Sequence, residues 1–472
     1  MIYNSVLSQE VHDCASTHLL RHLNAGDLQE DLCFALWRPS TGIKRTTAVI
    51  FQILIPDAGD RNLHGNASFE PGYLTRAVRL AVEQSVGIAF MHNHLSSGWQ
   101  HMSEPDVIAE RDRIAPVARA TGLPLVGLTL GTDQSWSARF WIWDGKKFNR
   151  NWCEKVRVVG RTFHVTFKNR KSNKQQHFLR RTINTWGNKC QRDISGLHFG
   201  IVGVGSVGCV IAEALARIGV EKLTLIDPDK IEAHNLDRLL YATHKDIGRL
   251  KVDAISQYTK KSATAAKFHI SPYSLSIQTD SAFAAALDCD ILFSAVDRPL
   301  PKDILNHVAY SHCIPVISGG VFIDNKPDGT LGQAAWGVTI VGPSFRCLRC
   351  DGQYTSSDVV LDVDGSLDNP SYIRNMSYTE RESRNQNVFP FSANLATSMV
   401  IEMVRLVIAD NWWPDRGGRQ HYSMIPNQLE VKNMKCHKNC SINELTSFGD
   451  HFKYPFLQKA CDEDITTSFF ET

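Results

Sequence analysis

The sequence lacks three features that would each place a chain in a special class of protein. Its 472 residues carry 51 Lys and Arg against 49 Asp and Glu, and a formal net charge of +2 argues against a strongly electrostatic partner such as nucleic acid. No apolar run reaches the roughly 20 residues of a membrane span. Residues 1–14 show no basic segment followed by an apolar one, as a secretion signal would. We therefore expect a cytoplasmic protein that contacts no membrane.

The sequence also shows no internal repeat and no low-complexity tract. Its length accommodates about two to four domains, each with a core of its own. The 12 cysteines are scattered, so we expect most of them to be reduced, buried or metal-bound rather than paired in disulfides.

A glycine-rich stretch between two short apolar runs is the most informative part of the chain. Gly203, Gly205 and Gly208 are spaced as G-x-G-x-x-G, directly after the apolar run 199–202, and Asp227 closes the next apolar run. This order predicts a nucleotide-binding βαβ unit, in which the loop and the helix N-terminus hold phosphate and the acidic residue accepts from ribose hydroxyls. The glycines alone would also suit an NAD-dependent oxidoreductase.

Polar and basic residues after the second apolar run favour a triphosphate over a dinucleotide. Asp229, Asn235, Arg238 and Lys251 follow in that order, and a dehydrogenase needs neither the Arg nor the Lys there. Guanidinium and ammonium groups offset the charge of a triphosphate. The series D-x-D-x(5)-N-x-x-R, then Lys251, then Asp297 in FSAVDR, resembles the ThiF/MoeB and ubiquitin-activating adenylation family.

The resemblance implies a complete ATP site in a homodimer. Asp227 and Asp229 would lie near the ribose, and Asp297 would hold Mg²⁺. Asn235, Arg238 and Lys251 would stabilise phosphate charge. Arg181, in LRRTINTWGN, would reach the ATP of the neighbouring subunit.

A second constellation lies in the first third of the chain. His92 and His94 are two residues apart on an extended segment, so both imidazoles face one side. Asp106 can supply a third ligand, and this set leaves the fourth tetrahedral position open for water, as in catalytic zinc sites. Glu30 is the candidate base, and Ser103 could donate a hydrogen bond to a developing oxyanion.

The order Glu, H-x-H, S-x-x-D resembles the JAMM/JAB metalloprotease family. The spacing between His94 and Ser103 is one residue longer than usual in that family, which a loop can absorb. Glu10 and Asp31 compete with Glu30 for the role of base. A JAB-like fold with an inactive site remains the alternative.

The predicted organisation has four parts. Residues 1–150 form a mixed α+β, JAB-like domain, with helices expected over 6–23 and 106–120 among others. Residues 151–180 form a basic connector that includes a possible strand pair, RVV and FHVTF. Residues 181–445 alternate strands and helices, which indicates a Rossmann-like, doubly wound, mostly parallel sheet, and residues 446–472 form a tail. The fold class is therefore α/β.

Two pairs of cysteines predict a structural zinc site. Cys347 and Cys350 form C-x-x-C, and Cys436 and Cys440 form C-x-x-x-C. Thiolates at such spacings favour tetrahedral zinc, and His437 could replace one of them. A buried or redox-active cysteine pair is the alternative.

No cysteine lies between Cys350 and Cys436, where thioester-forming relatives carry one. Cys313 and Cys461 are the leftover candidates. The polar stretch 351–387 is expected to be a crossover loop over the adenylate. We therefore expect an acyl-adenylate that passes directly to an external nucleophile, a separate carrier or a separate conjugating enzyme.

Together the two resemblances imply an enzyme that adenylates the C-terminus of a ubiquitin-like protein, fused to a zinc peptidase that processes or deconjugates the same protein. Similar fusions imply bacterial antiphage defence. The alternatives are activation of a sulfur-carrier protein in biosynthesis and a catalytically decayed binding scaffold.

Overall fold

The computed structural model describes residues 1–170, 177–368, 387–408 and 418–459. The chain divides into two compact units. The N-terminal unit comprises Met1–Arg170, Ser311–Cys313 and Thr446–Lys453. The C-terminal unit comprises the rest, namely Lys171–Tyr310, Ile314–Leu445 and Tyr454–Thr472.

The N-terminal unit is built on one mixed sheet of nine strands, in the order β11-β10-β1-β3-β2-β6-β7-β8-β9, and a separate hairpin of β4 and β5. Its strands are β1 Ile2–Ser8, β2 Leu32–Thr41, β3 Arg45–Leu54, β4 Arg61–His64, β5 Asn66–Phe69, β6 Gly87–Asn93, β7 Leu125–Leu130, β8 Trp136–Trp143, β9 Phe148–Trp152, β10 Lys155–Val159 and β11 Phe163–Phe167. Its helices are α1 Gln9–Leu19, α2 Arg21–Asn24, α3 Pro71–Glu83, α4 Glu104–Ile108 and α5 Ala115–Ala118.

Apolar residues cover this sheet in two separate core clusters. One includes Trp37, Trp136 and Phe140. The other includes Phe34 and Tyr73, the latter from α3. Alternate residues of a strand point to opposite faces, so the neighbours Leu36 and Trp37 of β2 enter different cores.

Two predicted helices differ from those in the structure. Residues 6–8 of the helix expected over 6–23 belong to β1, and α1 begins after Ser8, whose side chain accepts a hydrogen bond from Val11 N. The helix expected over 106–120 is present as one continuous helical segment, in which a π-helical turn over Ala109–Ile114 lies between α4 and α5. In that turn the buried Glu110 pairs with Arg139 of β8, a long-range contact that helical periodicity could not reveal.

The structure assigns much of the expected connector to the N-terminal unit. The candidate strand pair exists, because β10 and β11 are antiparallel neighbours. Strand β10 also pairs in parallel with β1 and buries Val156 and Val158. The unit therefore runs to Arg170 instead of residue 150.

The C-terminal unit is built on an eight-stranded sheet, in the order β14-β13-β12-β15-β16-β17-β18-β19. Its strands are β12 His198–Val202, β13 Lys222–Ile226, β14 His269–Tyr273, β15 Ile291–Ser294, β16 Val316–Asn325, β17 Leu331–Val341, β18 Arg419–Ser423 and β19 Gln428–Lys432. Its helices within the described residues are α6 Arg180–Gly196, α7 Gly208–Arg217, α8 Lys251–Ser262, α9 Asp280–Leu287, α10 Pro299–Ser311, α11 Ser356–Val363, α12 Phe389–Ile408 and α13 Ser441–Glu444.

The first five strands of this sheet are parallel and the last three are antiparallel. The chain runs outward from β12 to β14, then returns to the other side of β12 as β15. The reversal creates a topological switch point, and ligands of doubly wound sheets bind at the carboxyl ends of the strands there. The predicted strand–helix alternation is confirmed from β12 to β16.

Helix α12 corrects the expectation that no apolar run reaches the length of a membrane span. Its 20 residues pass that test by length and composition. The helix nevertheless buries Leu395, Met399 and Met403 within the unit, and its buried Glu402 pairs with Arg405. Core helices pass the same test, so it is weak evidence for a membrane span.

Candidate nucleotide and metal sites

A cavity of about 870 Å³ lies at the carboxyl ends of the parallel strands of the C-terminal unit. Residues that follow β12, β13 and β15 line it, and so does the glycine pair Gly319 and Gly320 in β16. The lining includes eight predicted site residues, which are Gly203, Gly205, Asp227, Asp229, Asn235, Arg238, Lys251 and Asp297. Residues up to 94 positions apart in the chain thus meet where the switch point predicts a ligand.

The three glycines of the loop have different roles. Gly203 has φ of +86°, and a Cβ there would lie 2.6 Å from the carbonyl oxygen of Ala295. A Cβ on Gly208 would collide with the carbonyl oxygen of Gly203. A Cβ on Gly205 would meet no atom within 4 Å, although Gly205 lines the cavity. Packing therefore requires Gly203 and Gly208, whereas at Gly205 only a ligand would need the space.

This difference gives a prediction on paired alanine variants. Gly208→Ala should lower the free energy of unfolding by about 1–3 kcal/mol because the loop must move away from the helix start. Gly205→Ala should change it by less than about 0.5 kcal/mol, yet should weaken ATP binding. Urea unfolding and calorimetric titration with ATP measure the two quantities. Unchanged ATP affinity in a folded Gly205→Ala protein would contradict a phosphate beside this loop.

Asp227 connects the glycine loop to the end of strand β13 by hydrogen bonds. Its Oδ2 accepts a hydrogen bond from Val204 N at 2.7 Å, and its Oδ1 accepts one from Asp229 N at 2.9 Å. Burial raises the pKa of this carboxyl, opposed by the charge of Lys251. Both oxygens are thus engaged by the backbone, and Asp229 is the more exposed of the two carboxylates on the cavity.

The predicted phosphate-binding side chains lie on this cavity, where hydrogen bonds and ion pairs hold them in place. Lys251 is the first residue of α8, and its Nζ lies 2.7 Å from Asp229 Oδ2. Arg238 Nη1 donates to His234 O at 2.7 Å and lies 2.8 Å from Asp237 Oδ1. Both contacts leave donors of Arg238 unused, because a guanidinium has five.

Asn235 is buried, and its Oδ1 accepts a hydrogen bond from Glu232 N at 3.1 Å. The side chain thereby closes the short 3₁₀ turn Ala233–Asn235. Its amide N–H₂ is not engaged by this bond, so the residue that shapes the turn can still donate into the cavity.

Two cationic residues beside Asp297 were missed by the sequence analysis. Lys302 lines the cavity; burial lowers its pKa, and the charge of Asp297 opposes the shift. Arg298 also lines the cavity, where its Nε donates to Asp362 Oδ1 at 2.8 Å and its Nη1 lies 2.9 Å from Asp368 Oδ2. Their signal was the string DRPLPK, in which both follow Asp297 within five residues.

Part of the expected crossover loop has regular structure. Residues 356–363 form α11, which contributes Asp362 and Val363 to the cavity wall. Residues 369–386 of that loop lie outside the described residues. Just beyond them, Asn387 Nδ2 donates to Ser206 Oγ at 3.0 Å, in the glycine loop.

Arg181 is not brought to the cavity of its own chain. It lies in the first turn of α6, is exposed, and is absent from the described cavity lining.

The predicted metal ligands of the N-terminal unit converge. Ligand atoms of His92, His94 and Asp106 all lie within 4.8 Å of one another. The two Nε2 atoms are 3.2 Å apart, and they lie 3.5 Å and 3.3 Å from the oxygens of Asp106. Two imidazole nitrogens and a carboxylate that face one point form a donor set suited to zinc, so these residues fit the ion.

Of the three acidic residues considered as the base, Glu30 is the one placed at this site. Burial raises its pKa, opposed by the charges of His94 and His92. Asp31, the next residue, is fully buried and its carboxylate instead pairs with Arg61 at 2.6 Å. Glu10 is exposed in the first turn of α1. Glu30 and Asp31 are adjacent in the chain and nevertheless have different partners.

Asn93, between the two histidines, fixes the segment that carries Glu30. Its Oδ1 accepts a hydrogen bond from Asp31 N at 2.7 Å, and its own N–H donates to Asp31 O at 3.3 Å. Asn93 is fully buried. Asn93 is the variable residue of the H-x-H motif, and no local sequence pattern indicates its role.

A buried polar network stands behind His92. Thr129 Oγ1 lies 3.4 Å from His92 Nε2 and accepts a hydrogen bond from Arg139 Nη1 at 2.6 Å. Arg139 pairs with Glu110, which also accepts from Trp141 Nε1 at 2.6 Å. Three neighbouring strands and the π-helical turn that carries Glu110 bring these groups together, so no sequence spacing predicts the network.

Ser103 is bound into the start of α4. Its Oγ accepts from Asp106 N at 3.3 Å, while its own N–H donates to Asp106 Oδ2 at 2.7 Å. This capping box orients Asp106 towards the histidines. The Ser103 side chain also forms a hydrogen bond to the Asp106 carboxylate, so Ser103 is engaged with the third candidate metal ligand.

The four predicted zinc thiolates of the C-terminal unit also converge. Sulfur atoms of Cys347, Cys350, Cys436 and Cys440 lie within 4.8 Å of one another. Backbone N–H groups of Cys347 and Cys350 donate to sulfurs of the set at 3.2 and 3.3 Å, which favours thiolates. His437 contributes a backbone hydrogen bond to Cys350, and its ring is not in the group. The extra residue in C-x-x-x-C therefore does not prevent convergence.

Removal of one thiolate tests whether this cluster binds a structural zinc ion. Cys350→Ser should remove one equivalent of bound zinc per chain and lower the melting temperature, because zinc binding by such clusters stabilises the fold. Metal analysis and thermal unfolding measure both effects. The exposed Cys14 offers a matched control as Cys14→Ser. Unaltered zinc content in the Cys350 variant would contradict the assignment.

Of the two leftover thioester candidates, Cys313 lies among the described residues. Cys313 is fully buried, burial raises the pKa of its thiol, and its Sγ lies 3.3 Å from Ser447 Oγ. Cys461 lies outside the described residues.

The fold, the glycine loop and the polar switch-point cavity define a nucleotide-binding α/β protein of the doubly wound class. The chain belongs to the ThiF family, whose model matches residues 179–443. It is 28% identical over 151 residues to the adenylyltransferase and sulfurtransferase UBA4 of Meyerozyma guilliermondii, covering 32% of this chain and 34% of the relative. It is also 28% identical over 177 residues to the protein of that name in Aspergillus clavatus, covering 36% and 34%.

The chain thus spans about a third of the length of these curated relatives. Among solved structures, E. coli MccB with ATP gives a TM-score of 0.44 at 18% identity, covering 57% of this chain and 75% of that one. E. coli tRNA N6-threonylcarbamoyladenosine dehydratase, TcdA, gives 0.29 at 23% identity, covering 32% and 66%.

Proposed function

We propose that the C-terminal unit is an adenylyltransferase that activates the terminal carboxylate of a ubiquitin-like or sulfur-carrier protein with ATP. The carrying observation is that the glycine loop, Arg238, Lys251 and Asp297 line one cavity at the switch point of the sheet. Membership of the ThiF family supports the proposal. So does the UBA4 relatives' description as adenylyltransferases.

The cationic and polar side chains of the cavity suit the formation of an acyl-adenylate. A carboxylate oxygen attacks the α-phosphorus of ATP, the bond from that phosphorus to the bridging oxygen breaks, and pyrophosphate leaves. Arg238, Lys251 and Asn235 would stabilise the charge that moves onto the leaving phosphates. Asp297 would hold Mg²⁺, which would offset negative charge on the phosphates when bound. The absence of a cysteine between Cys350 and Cys436 supports direct transfer of the acyl-adenylate to an external acceptor.

The exposed position of Arg181, away from its own cavity, supports its role in the neighbour's site of a homodimer. The converged thiolates Cys347, Cys350, Cys436 and Cys440 support a structural zinc ion in this unit.

We further propose that the N-terminal unit is a JAMM-type zinc peptidase that trims or releases the same carrier. His92, His94 and Asp106 would hold zinc, which when bound would activate a water for attack on a peptide carbonyl. Glu30 would take the proton of that water and return it to the leaving amine. Ser103 would donate to the carbonyl oxygen. The convergence of the three ligands and the interaction of Glu30 with the charges of His94 and His92 support this assignment.

In bacterial antiphage defence, the adenylation and peptidase activities would serve one conjugation system. Sulfur-carrier activation for biosynthesis is the competing role. The two differ in product: the carrier tail would gain an amide bond to a target in the first and a thiocarboxylate in the second. Mass spectrometry of the carrier after reaction separates them.

The test of adenylation is exchange of radiolabelled pyrophosphate into ATP with the whole protein, Mg²⁺ and a ubiquitin-like or sulfur-carrier protein with a free C-terminal glycine. Carrier-dependent exchange is expected. Binding of NAD in place of ATP would favour an oxidoreductase, and a folded protein that binds neither would favour a decayed scaffold. A thioester to Cys313 or Cys461 that reducing agent releases would overturn direct transfer.

A further inference from the structure

The segment Tyr454–Gln458 borders the nucleotide cavity, although it follows the family-matched region that ends at residue 443. Phe456 and Gln458 line the cavity. The N–H of Gln458 donates to Gln278 O at 2.8 Å, and its carbonyl oxygen accepts from Asp280 N at 2.9 Å. At the other end of the segment, Tyr454 is buried and its hydroxyl donates to Asp303 Oδ2 at 2.5 Å. The segment is therefore fixed on both sides of Phe456.

The sheet order identifies which end of the cavity this segment covers. The glycine loop follows β12, Asp227 and Asp229 follow β13, and residues 276–278 follow the outermost parallel strand, β14. Phosphates at the loop and a ribose at the end of β13 direct the base towards β14. Residues 276–278 line the cavity at that end, and Gln458 pairs with Gln278 there.

Phe456 supplies an apolar face at this end of the cavity. Phe456 is 39% exposed although it lines the cavity, whereas Ile277, another apolar residue of the lining, is 3% exposed. A planar base that covers the ring would remove apolar surface from water and gain stacking energy. The side-chain amides of Gln278 and Gln458 can each donate and accept at the edge of such a base.

We propose that Tyr454–Gln458 completes the base subsite of the nucleotide cavity and that Phe456 packs against the adenine ring. This inference rests on the proposed function, because it presupposes ATP as the ligand. It assigns selectivity for the base to residues downstream of the family-matched region.

The test compares ATP and UTP, as non-hydrolysable analogues, by calorimetric titration of the full chain. The wild-type protein should prefer ATP, because the larger purine ring stacks better. Phe456→Ala should weaken the binding of ATP by about tenfold and that of UTP by less, so the preference for ATP should fall. Phe456→Trp should restore it. Phe178→Ala is the matched control, since Phe178 is 83% exposed and outside the described cavity lining.

A second variant tests the pairing that holds the segment. Gln458→Pro removes the N–H that donates to Gln278 O and should also reduce the preference for ATP. Unchanged preference in Phe456→Ala, or equal weakening of ATP and UTP, would overturn the base subsite and leave the proposed function standing. A folded wild-type protein that binds no ATP would overturn the proposed function and this inference together.

Discussion

Lys251→Ala is expected to slow ATP–pyrophosphate exchange by about 10²–10³-fold, the usual cost of removing one charged donor from a transition state. The Lys251 side chain is 13% exposed, and its Nζ lies 2.7 Å from Asp229 Oδ2 at the cavity. Its loss would remove a positive charge and leave the Asp229 carboxylate unpaired where phosphate must bind. Both changes disfavour the triphosphate, so exchange rate and ATP affinity should fall together.

The same helix offers the control. Lys260 lies in the last turn of α8, is exposed, and does not appear in the described lining of the cavity. Lys260→Ala removes the same side chain from the same helix and should leave exchange unchanged. If both lysine variants lost exchange equally, the effect would come from the helix or from net charge, and the phosphate-binding role of Lys251 would be wrong.

Glu30→Gln is expected to reduce peptidase turnover by about 10²–10⁴-fold, the usual contribution of a positioned general base. The amide keeps the size of the side chain but cannot take a proton from water. The proposed metal ligands His92, His94 and Asp106 are untouched, so zinc content should stay the same. Cleavage of a carrier extended beyond its terminal glycine, followed by mass spectrometry, measures turnover.

Two further variants separate chemistry from metal binding. His94→Ala should lose both zinc and cleavage, because it removes a ligand. His101→Ala should lose neither, since His101 is an exposed residue of the same loop outside the ligand group. Full cleavage by Glu30→Gln would refute the base assignment, and normal zinc content in His94→Ala would refute the metal site.

Local spacing was enough to predict the elements around the nucleotide cavity. The run 199–202, the three glycines and the run 223–226 each report on neighbours within a few residues, and period-2 or period-3.6 patterns decide such structure. The boundary between β1 and α1 was harder to predict, because Ser8 both ends the strand and caps the helix within one apolar-rich stretch. The connector was misjudged because β10 owes its burial to pairing with β1, about 150 residues earlier in the chain.

The sequence by itself determined the order of the chemical groups: a glycine loop followed by acids and cations, an H-x-H motif followed by S-x-x-D, and two cysteine pairs. Only the tertiary structure decided which of these groups meet. It separated Glu30 from Asp31, excluded the ring of His437 from the thiolates, and brought Arg298, Lys302 and Phe456 to the cavity. The physical reason is that a spacing constrains neighbours along the chain, whereas a site is set by strand order and by burial between distant segments.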